Sequence, residues 1–135
     1  MIDSESENDV FCRGPKHEGK QQLVILHPMR LVVYSLQIVD GIAEHGSQSK
    51  LSMCFEHKFS KFAFSVCCGH FGGHKNREFF CVTHMDGTLT VFEQDGISYE
   101  CVLNGERNIP SVMVYNNRTD SFLSVSAAGD LESFL

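Results

Sequence analysis

The sequence predicts an all-β protein that forms part of a β-propeller, with about three consecutive four-stranded antiparallel blades, the last one incomplete. One hairpin pattern, an apolar strand and an alternating strand flanking a tight polar turn, occurs at 22–36, 79–93 and 121–134. The copies follow one another at intervals of roughly 40–60 residues, which indicates propeller blades. A small β-sandwich is the alternative architecture, but the repeat favours blades.

The three hairpins align residue by residue. The second and third copies match without a gap, Phe80 with Phe122 and Gly87 with Gly129. The first copy needs a turn one residue shorter. No stretch of useful length shows the 3.6-residue period of a helix, so strands are expected throughout.

The first blade is predicted at 10–58. Its polar loop at 40–49 explains why it is longer than the others. Its strands are predicted at 10–13, 23–27, 31–37 and 50–58. Before it, residues 1–9 are acidic and poor in apolar side chains, which predicts a disordered N-terminus.

The second blade is predicted at 62–103. Asp86-Gly87 and Asp95-Gly96 mark its turns, because glycine accepts the positive φ that a type I′ hairpin turn requires. Its strands are predicted at 62–69, 79–84, 88–94 and 97–103. The links at 14–20 and 69–77 both carry Gly, His and Lys, so we expect both on one rim.

The third blade is predicted at 109–135, with strands at 111–115, 121–126 and 130–134. It lacks a fourth strand, and about three blades do not close a ring, since propellers normally have four to eight. Open sheet edges promote aggregation unless they are covered. We therefore expect a piece of a larger polypeptide, or a chain whose edges a partner covers.

Composition limits the classes of function. The net charge is −6 and no basic stripe is visible, which argues against nucleic-acid binding by phosphate neutralisation. The apolar runs are far shorter than the roughly 20 residues of a membrane helix, and the acidic start does not resemble a signal peptide. We expect a soluble, cytoplasmic chain whose six cysteines are reduced.

The sequence predicts no catalytic, cofactor-binding or metal-binding residues, and hence no enzyme. Cys67, Cys68, His70 and His74 could supply zinc ligands. However, adjacent strand residues point to opposite faces, which favours packed cysteines and loop histidines over a metal site. No family-specific flank surrounds any Cys–His pair, and no carboxylate pair is placed for acid–base chemistry.

One loop is a candidate for partner recognition. His70, Phe71, His74, Lys75 and Arg77 combine an aromatic ring with positive groups, and aromatic residues and arginine are enriched at interfaces. The alternative is a solvated loop between strands. The unpaired sheet edges at both ends are the stronger candidates for contacts.

A set of short motifs, in their order and spacing, gives a family resemblance. These motifs include Glu44-His45-Gly46, Phe71-Gly72-Gly73, Met85-Asp86-Gly87, Val91-Phe92-Glu93-Gln94 and Arg118-Thr119-Asp120. Over residues 23–134 the chain resembles the N-terminal β-propeller of the parathyroid hormone-responsive B1 family, also called the Bardet–Biedl syndrome protein nine family.

The resemblance implies a non-catalytic scaffold in the BBSome, a coat-like complex that carries membrane proteins into and out of cilia. It implies contacts with other BBSome subunits and, indirectly, with small-GTPase membrane-recruitment machinery and ciliary membrane cargo. The expected sites are the cilium, its base or centrosome, and the peripheral ciliary membrane. The alternatives are a small-ligand- or metal-binding β domain accessory to an enzyme, and a truncated product without independent function.

Overall fold

The fold was obtained as a computed structural model, which describes residues 10–17, 20–39, 46, 48–74, 77–93, 96–102, 111–126 and 128–134. The predicted tail at 1–9 and most of the predicted loop at 40–49 lie outside these residues. The described elements are strands and one 3₁₀ turn, Phe71–Gly73. Among them, no helix is long and apolar enough to cross a membrane.

The strands form three antiparallel sheets in which each strand pairs with its neighbours in sequence. The first sheet contains β1 (Val10–His17), β2 (Lys20–His27), β3 (Arg30–Val39) and β4 (Gln48–Lys58). The second contains β5 (Ala63–Gly69), β6 (Phe79–His84), β7 (Thr88–Glu93) and β8 (Gly96–Val102). The third contains β9 (Met113–Asn116), β10 (Ser121–Val125) and β11 (Leu131–Phe134).

The sheets are arranged like successive propeller blades. Their first strands, β1, β5 and β9, contact one another in that order, while β4 and β8 lie at sheet edges and are largely exposed. The predicted all-β fold of propeller-like blades without ring closure is confirmed. Apart from β1 and β2, each predicted strand end lies within two residues of the observed one.

The second sheet is covered on both faces, because the side chains of its central strands alternate between two cores. β6 is buried at every position. Phe80 and Val82 pack against the first sheet, and Phe79 and Cys81 pack toward the third. The second copy of the repeated hairpin, 79–93, therefore lies at the centre of the stack.

The turn at Asp86-Gly87 differs from the prediction in type, while Asp95 of the predicted turn Asp95-Gly96 lies outside the described residues. Gly87 has a φ of 83°, and its N–H donates to the His84 carbonyl at 3.1 Å, but the preceding Asp86 is not left-handed. A type I′ turn needs positive φ at two positions, so the loop at 85–87 is instead a three-residue turn ending in a left-handed glycine. Gly129, with a φ of 85°, ends the corresponding turn of the third sheet.

The predicted link at 14–20 is wrong in part, because β1 continues to His17 and pairs with β2, which begins at Lys20. The register shifts between Arg13 and Lys16. Pro15 lies in that irregular segment, where an edge strand tolerates a residue that has no N–H to donate. The two links are therefore not equivalent: strand pairing continues to His17 and Lys20 in the first, whereas in the second the strands end at Gly69 and resume at Phe79.

Candidate interaction surface

The second and third sheets meet at a contact that we call the second joint. It consists of Phe71, Tyr115, Asp120 and Phe122. The Phe71 ring is 8% exposed and lies edge-on to the rings of Tyr115 and Phe122, with centroids 4.7 Å from each. Edge-to-face aromatic contacts of this kind add to the stability that burial itself provides. The loop after β5 is thus anchored into the third sheet.

Asp120 fixes the polar side of the second joint. Its Oδ1 accepts a hydrogen bond from the Gly72 N–H at 2.8 Å and lies 2.6 Å from the Tyr115 hydroxyl. That hydroxyl is also 2.9 Å from the His70 carbonyl oxygen. The bond from Tyr115, followed by that from Gly72, lowers the pKa of Asp120. Burial, then the contact with Asp120, raises the pKa of Tyr115 to about 12.

Two backbone features make this geometry accessible. Asp120 has a φ of 49° and is the single non-glycine residue in the left-handed region among those described; aspartate and asparagine are the side chains that best tolerate that region. Gly69 allows close approach, because a Cβ there would lie 2.3 Å from Cδ1 of Tyr115. A side chain at position 69 would displace the Tyr115 ring.

The structure separates the five residues of the predicted recognition loop. Phe71 is buried in the second joint and cannot also be a contact residue for a partner. His70 Nδ1 lies 2.8 Å from the Arg77 carbonyl oxygen, and His70 Nε2 lies 3.6 Å from Glu78 Oε1. His74 and Arg77 are exposed, whereas Lys75 lies outside the described residues. The loop's binding role stays a prediction, now limited to its exposed side chains.

Sequence reasoning missed Gly69, Tyr115 and Asp120 as determinants of this loop. Asp120 carries no local signal of this contact, and Phe71, expected in a loop for partner recognition, is buried instead. The available signal was Gly69 itself, since a glycine at the end of a strand often marks close approach by another part of the chain.

The first and second sheets meet at the first joint, which consists of the apolar core between them and the linker 59–62. The Phe59 and Ala63 N–H groups donate to the carbonyls of Met29 and Pro28, and the Met85 N–H donates to the carbonyl of Phe62. The linker is thus bonded to the hairpin turns of both sheets. The apolar core of the first joint contains Val24, Leu26, Leu31, Val33, Val66, Phe80, Val82 and Phe92.

An ion pair closes the first joint at its polar end. Lys61 Nζ lies 3.1 Å from Asp86 Oδ2 and donates to Thr88 Oγ1 at 2.9 Å. Hydrogen bonds from Thr88, whose backbone N–H donates to Asp86 Oδ1 at 2.9 Å, together with Lys61, lower the pKa of Asp86 to about 2. Because both charged side chains are well exposed, this pair orders the turn more than it stabilises the fold.

A cavity of about 250 Å³ lies beside the first joint. His84, Glu100 and Lys58 are among its lining residues. His84 Nε2 lies 3.0 Å from Thr90 Oγ1, and burial lowers the pKa of His84, which keeps its imidazole neutral at pH 7. These groups could hydrogen-bond a small polar molecule.

The four residues considered for zinc do not converge. Cys67 packs in the core toward the third sheet and Cys68 in the core toward the first, so the prediction that they point to opposite faces is confirmed. Within the described ranges, no group of three or more His, Cys, Asp or Glu side chains is placed to hold a metal ion.

The third sheet exposes an apolar face on the side away from the second joint. Val114 pairs with Leu123, and Val125 pairs with Leu131, while the alternate residues Tyr115 and Phe122 pack on the second sheet. Val114 is 54% exposed and Leu131 is 72% exposed. Exposed apolar patches of this kind commonly mark interaction sites.

Comparison with known proteins identifies relatives. Residues 8–135 match the family model described as PTHB1 N-terminal. The chain is 39% identical to Protein PTHB1 of Homo sapiens over 112 residues, and 38% identical to Protein PTHB1 of Xenopus laevis and of Mus musculus. Each alignment covers 83% of this chain but 12–13% of the relative, so the chain spans a small part of the length of those proteins.

Proposed function

Because this chain belongs to the PTHB1 N-terminal family, we propose that it is a non-catalytic scaffold segment that presents binding surfaces in ciliary membrane-protein trafficking. The observation that carries the proposal is the covering of the second sheet on both faces. Such a stack holds its exposed loops and edges in fixed positions, as recognition surfaces on a rigid scaffold require. The aligned relatives are much longer, so the segment is proposed to act within an assembly.

The proposed partners are other subunits of the BBSome, with small-GTPase membrane-recruitment machinery and ciliary membrane cargo contacted indirectly. The proposed locations are the cytoplasm, the ciliary base or centrosome, and the peripheral ciliary membrane. Two surfaces support this proposal. One is the exposed pair His74 and Arg77 beside the second joint, and the other is the apolar outer face of the third sheet.

The direct test is affinity purification of the tagged 135-residue chain from ciliated cells, with co-purifying proteins identified by mass spectrometry. We expect enrichment of BBSome subunits over a tag-only control. The double substitution His74→Ala and Arg77→Ala should reduce this recovery several-fold. Arg118→Ala, at another exposed turn, is the matched control and should leave it unchanged.

Two results would contradict the proposal. If no BBSome subunit is enriched although the chain is folded by circular dichroism, the segment is not a sufficient binding surface. If Protein PTHB1 lacking the region that matches this chain recovers the other subunits as well as the intact protein does, the segment is not necessary for binding.

The cavity beside the first joint favours a second candidate function, binding of a small polar ligand by an enzyme-accessory domain. Native mass spectrometry of the purified chain should then show a retained small molecule. Ile97→Trp would fill the cavity from a half-exposed position and should abolish retention. If the unaltered chain and the variant each show only the mass of the bare polypeptide, this candidate is eliminated.

A further inference from the structure

Cys67 on β5 and Cys81 on β6 lie directly opposite each other in the antiparallel ladder. Both are free thiols, and both side chains pack in the apolar core between the second and third sheets. Opposed residues of an antiparallel pair have Cα atoms about 4.5 or 5.5 Å apart. Both spacings fall within the range of about 4.4–6.8 Å over which disulfides form.

The neighbouring pair shows that side chains meet at this position of the ladder. Ser65 and Thr83 are opposed two residues along the same strands, and their Oγ atoms are 2.7 Å apart. Pairs two residues apart share the same hydrogen-bonding type and the same face. For the cysteines, burial followed by hydrogen bonding with Cys67 raises the pKa of Cys81, which fits thiols in contact.

We propose that Cys67 and Cys81 are a redox modification site at which a peroxide forms a reversible disulfide. In the first step the Cys67 thiolate, the more exposed of the two, attacks one peroxide oxygen; the O–O bond breaks, the other oxygen leaves as hydroxide, and Cys67 becomes a sulfenic acid. In the second step the Cys81 sulfur attacks that sulfur, forming the S–S bond and releasing water. Overall, two thiols are oxidised by two electrons and the peroxide is reduced.

The bond would act on the second joint. It would close the segment 67–81, which includes the 3₁₀ turn Phe71–Gly73 and therefore the anchoring ring of that joint. A cross-link across a loop of this length removes conformational freedom from the unfolded chain. Oxidation should therefore stabilise the stack and hold the exposed loop more firmly.

Three further cysteines whose side chains are described, Cys54, Cys68 and Cys101, are not placed to replace either partner. Cys101 lies on β8, which is separated from β6 by β7, so two strand spacings, about 9.6 Å, lie between their backbones. Cys68 faces the opposite core, and Cys54 is exposed on the first sheet. Among the five cysteines whose side chains are described, the fold thus favours this one pairing.

The test treats the 135-residue chain with a slight excess of hydrogen peroxide at neutral pH, blocks free thiols and maps disulfides in a non-reduced digest by mass spectrometry. We expect the Cys67–Cys81 cross-link to predominate in native buffer. In guanidinium chloride the same treatment should scatter cross-links among the cysteines. The oxidised chain should melt about 5 °C or more above the reduced one, and dithiothreitol should reverse the shift.

Matched variants complete the test. Cys67→Ser should abolish both the cross-link and the thermal shift, while Cys68→Ser, one residue away on the opposite face, should retain both. The proposal is overturned if native and denatured chains give the same mixture of cross-links, if Cys81 pairs mainly with Cys101, or if peroxide leaves the Cys67 and Cys81 thiols free.

Discussion

The two joints of the stack hold their sheets together by different means. The first joint buries branched aliphatic side chains and the stacked rings of Phe80 and Phe92, whose centroids are 5.0 Å apart. The second joint depends on the Phe71 ring and on the oxygens of Tyr115 and Asp120. The first joint is thus mainly apolar, whereas in the second a few directional contacts add to the apolar core between the sheets.

The two joints should therefore respond to different kinds of change. Apolar burial is non-directional and roughly proportional to the area buried, so the first joint should respond to lost volume. Directional contacts depend on position and on protonation, so the second joint should respond to small displacements and to acid. Because Phe71 of the second joint lies in the same loop as the exposed His74 and Arg77, this joint also controls the candidate binding loop.

Removal of volume from the first joint should have the largest effect. Phe80 is fully buried, and Phe80→Ala should lower the free energy of unfolding by about 3–5 kcal/mol. Urea denaturation followed by circular dichroism would measure the change. Tyr99→Ala, on the exposed strand β8, is the control and should change stability little. Equal losses of stability in the two variants would show that the apolar core of the first joint does not stabilise the stacked sheets.

The next largest effect should come from crowding the second joint. Gly69→Ala places a methyl group against the Tyr115 ring, whose hydroxyl lies within hydrogen-bonding distance of two oxygens, so the ring cannot move aside freely. We expect a loss of about 1–3 kcal/mol, with hydrogen exchange accelerated mainly in β9 and β10. Gly96→Ala is the matched control, since a Cβ there meets no atom within 4 Å. Uniform acceleration across all three sheets would contradict two separable joints.

Acid should loosen the second joint through Asp120. Its pKa in the folded chain lies below the ordinary value of 3.8, so the ionised carboxylate contributes stability above that pH, and the contribution disappears as the pH falls through the lower folded pKa. Asn suits the same left-handed backbone and removes the charge. Asp120→Asn should therefore weaken the dependence of hydrogen exchange in β9 and β10 on pH below about 4.

A matched carboxylate removal in the same sheet is the control for this experiment. Asp130→Asn lies beside the last turn and outside the second joint, and it should leave the acid response of β9 and β10 close to that of the unaltered chain. If the two variants behave alike, the carboxylate of Asp120 has no special role in the joint.

The strands were predictable because their signals are local. Alternation and turn glycines specify the hairpin at 79–93 without reference to the rest of the chain. The role of Phe71 was not predictable, because its burial depends on Tyr115 and Phe122, which are distant in sequence and meet it only when the sheets stack. The role of Asp120 was not predictable for the same reason, because its partner Gly72 lies in the loop after β5 of the second sheet. Contacts between blades are non-local, so hairpin patterns alone do not specify them.

The smallest effect on stability is expected at the exposed end of the second joint, and it tests whether folding and binding can be separated there. Arg77 Nη1 lies 3.2 Å from Glu93 Oε1, but the arginine side chain is 64% exposed. Exposed pairs contribute little, so Arg77→Gln should change the free energy of unfolding by less than about 0.5 kcal/mol. Recovery of partner proteins should nevertheless fall if the loop binds them. A stability loss comparable to that of Gly69→Ala would instead assign Arg77 to the joint itself, and any loss of binding would then follow from loosening of the loop rather than from a lost contact.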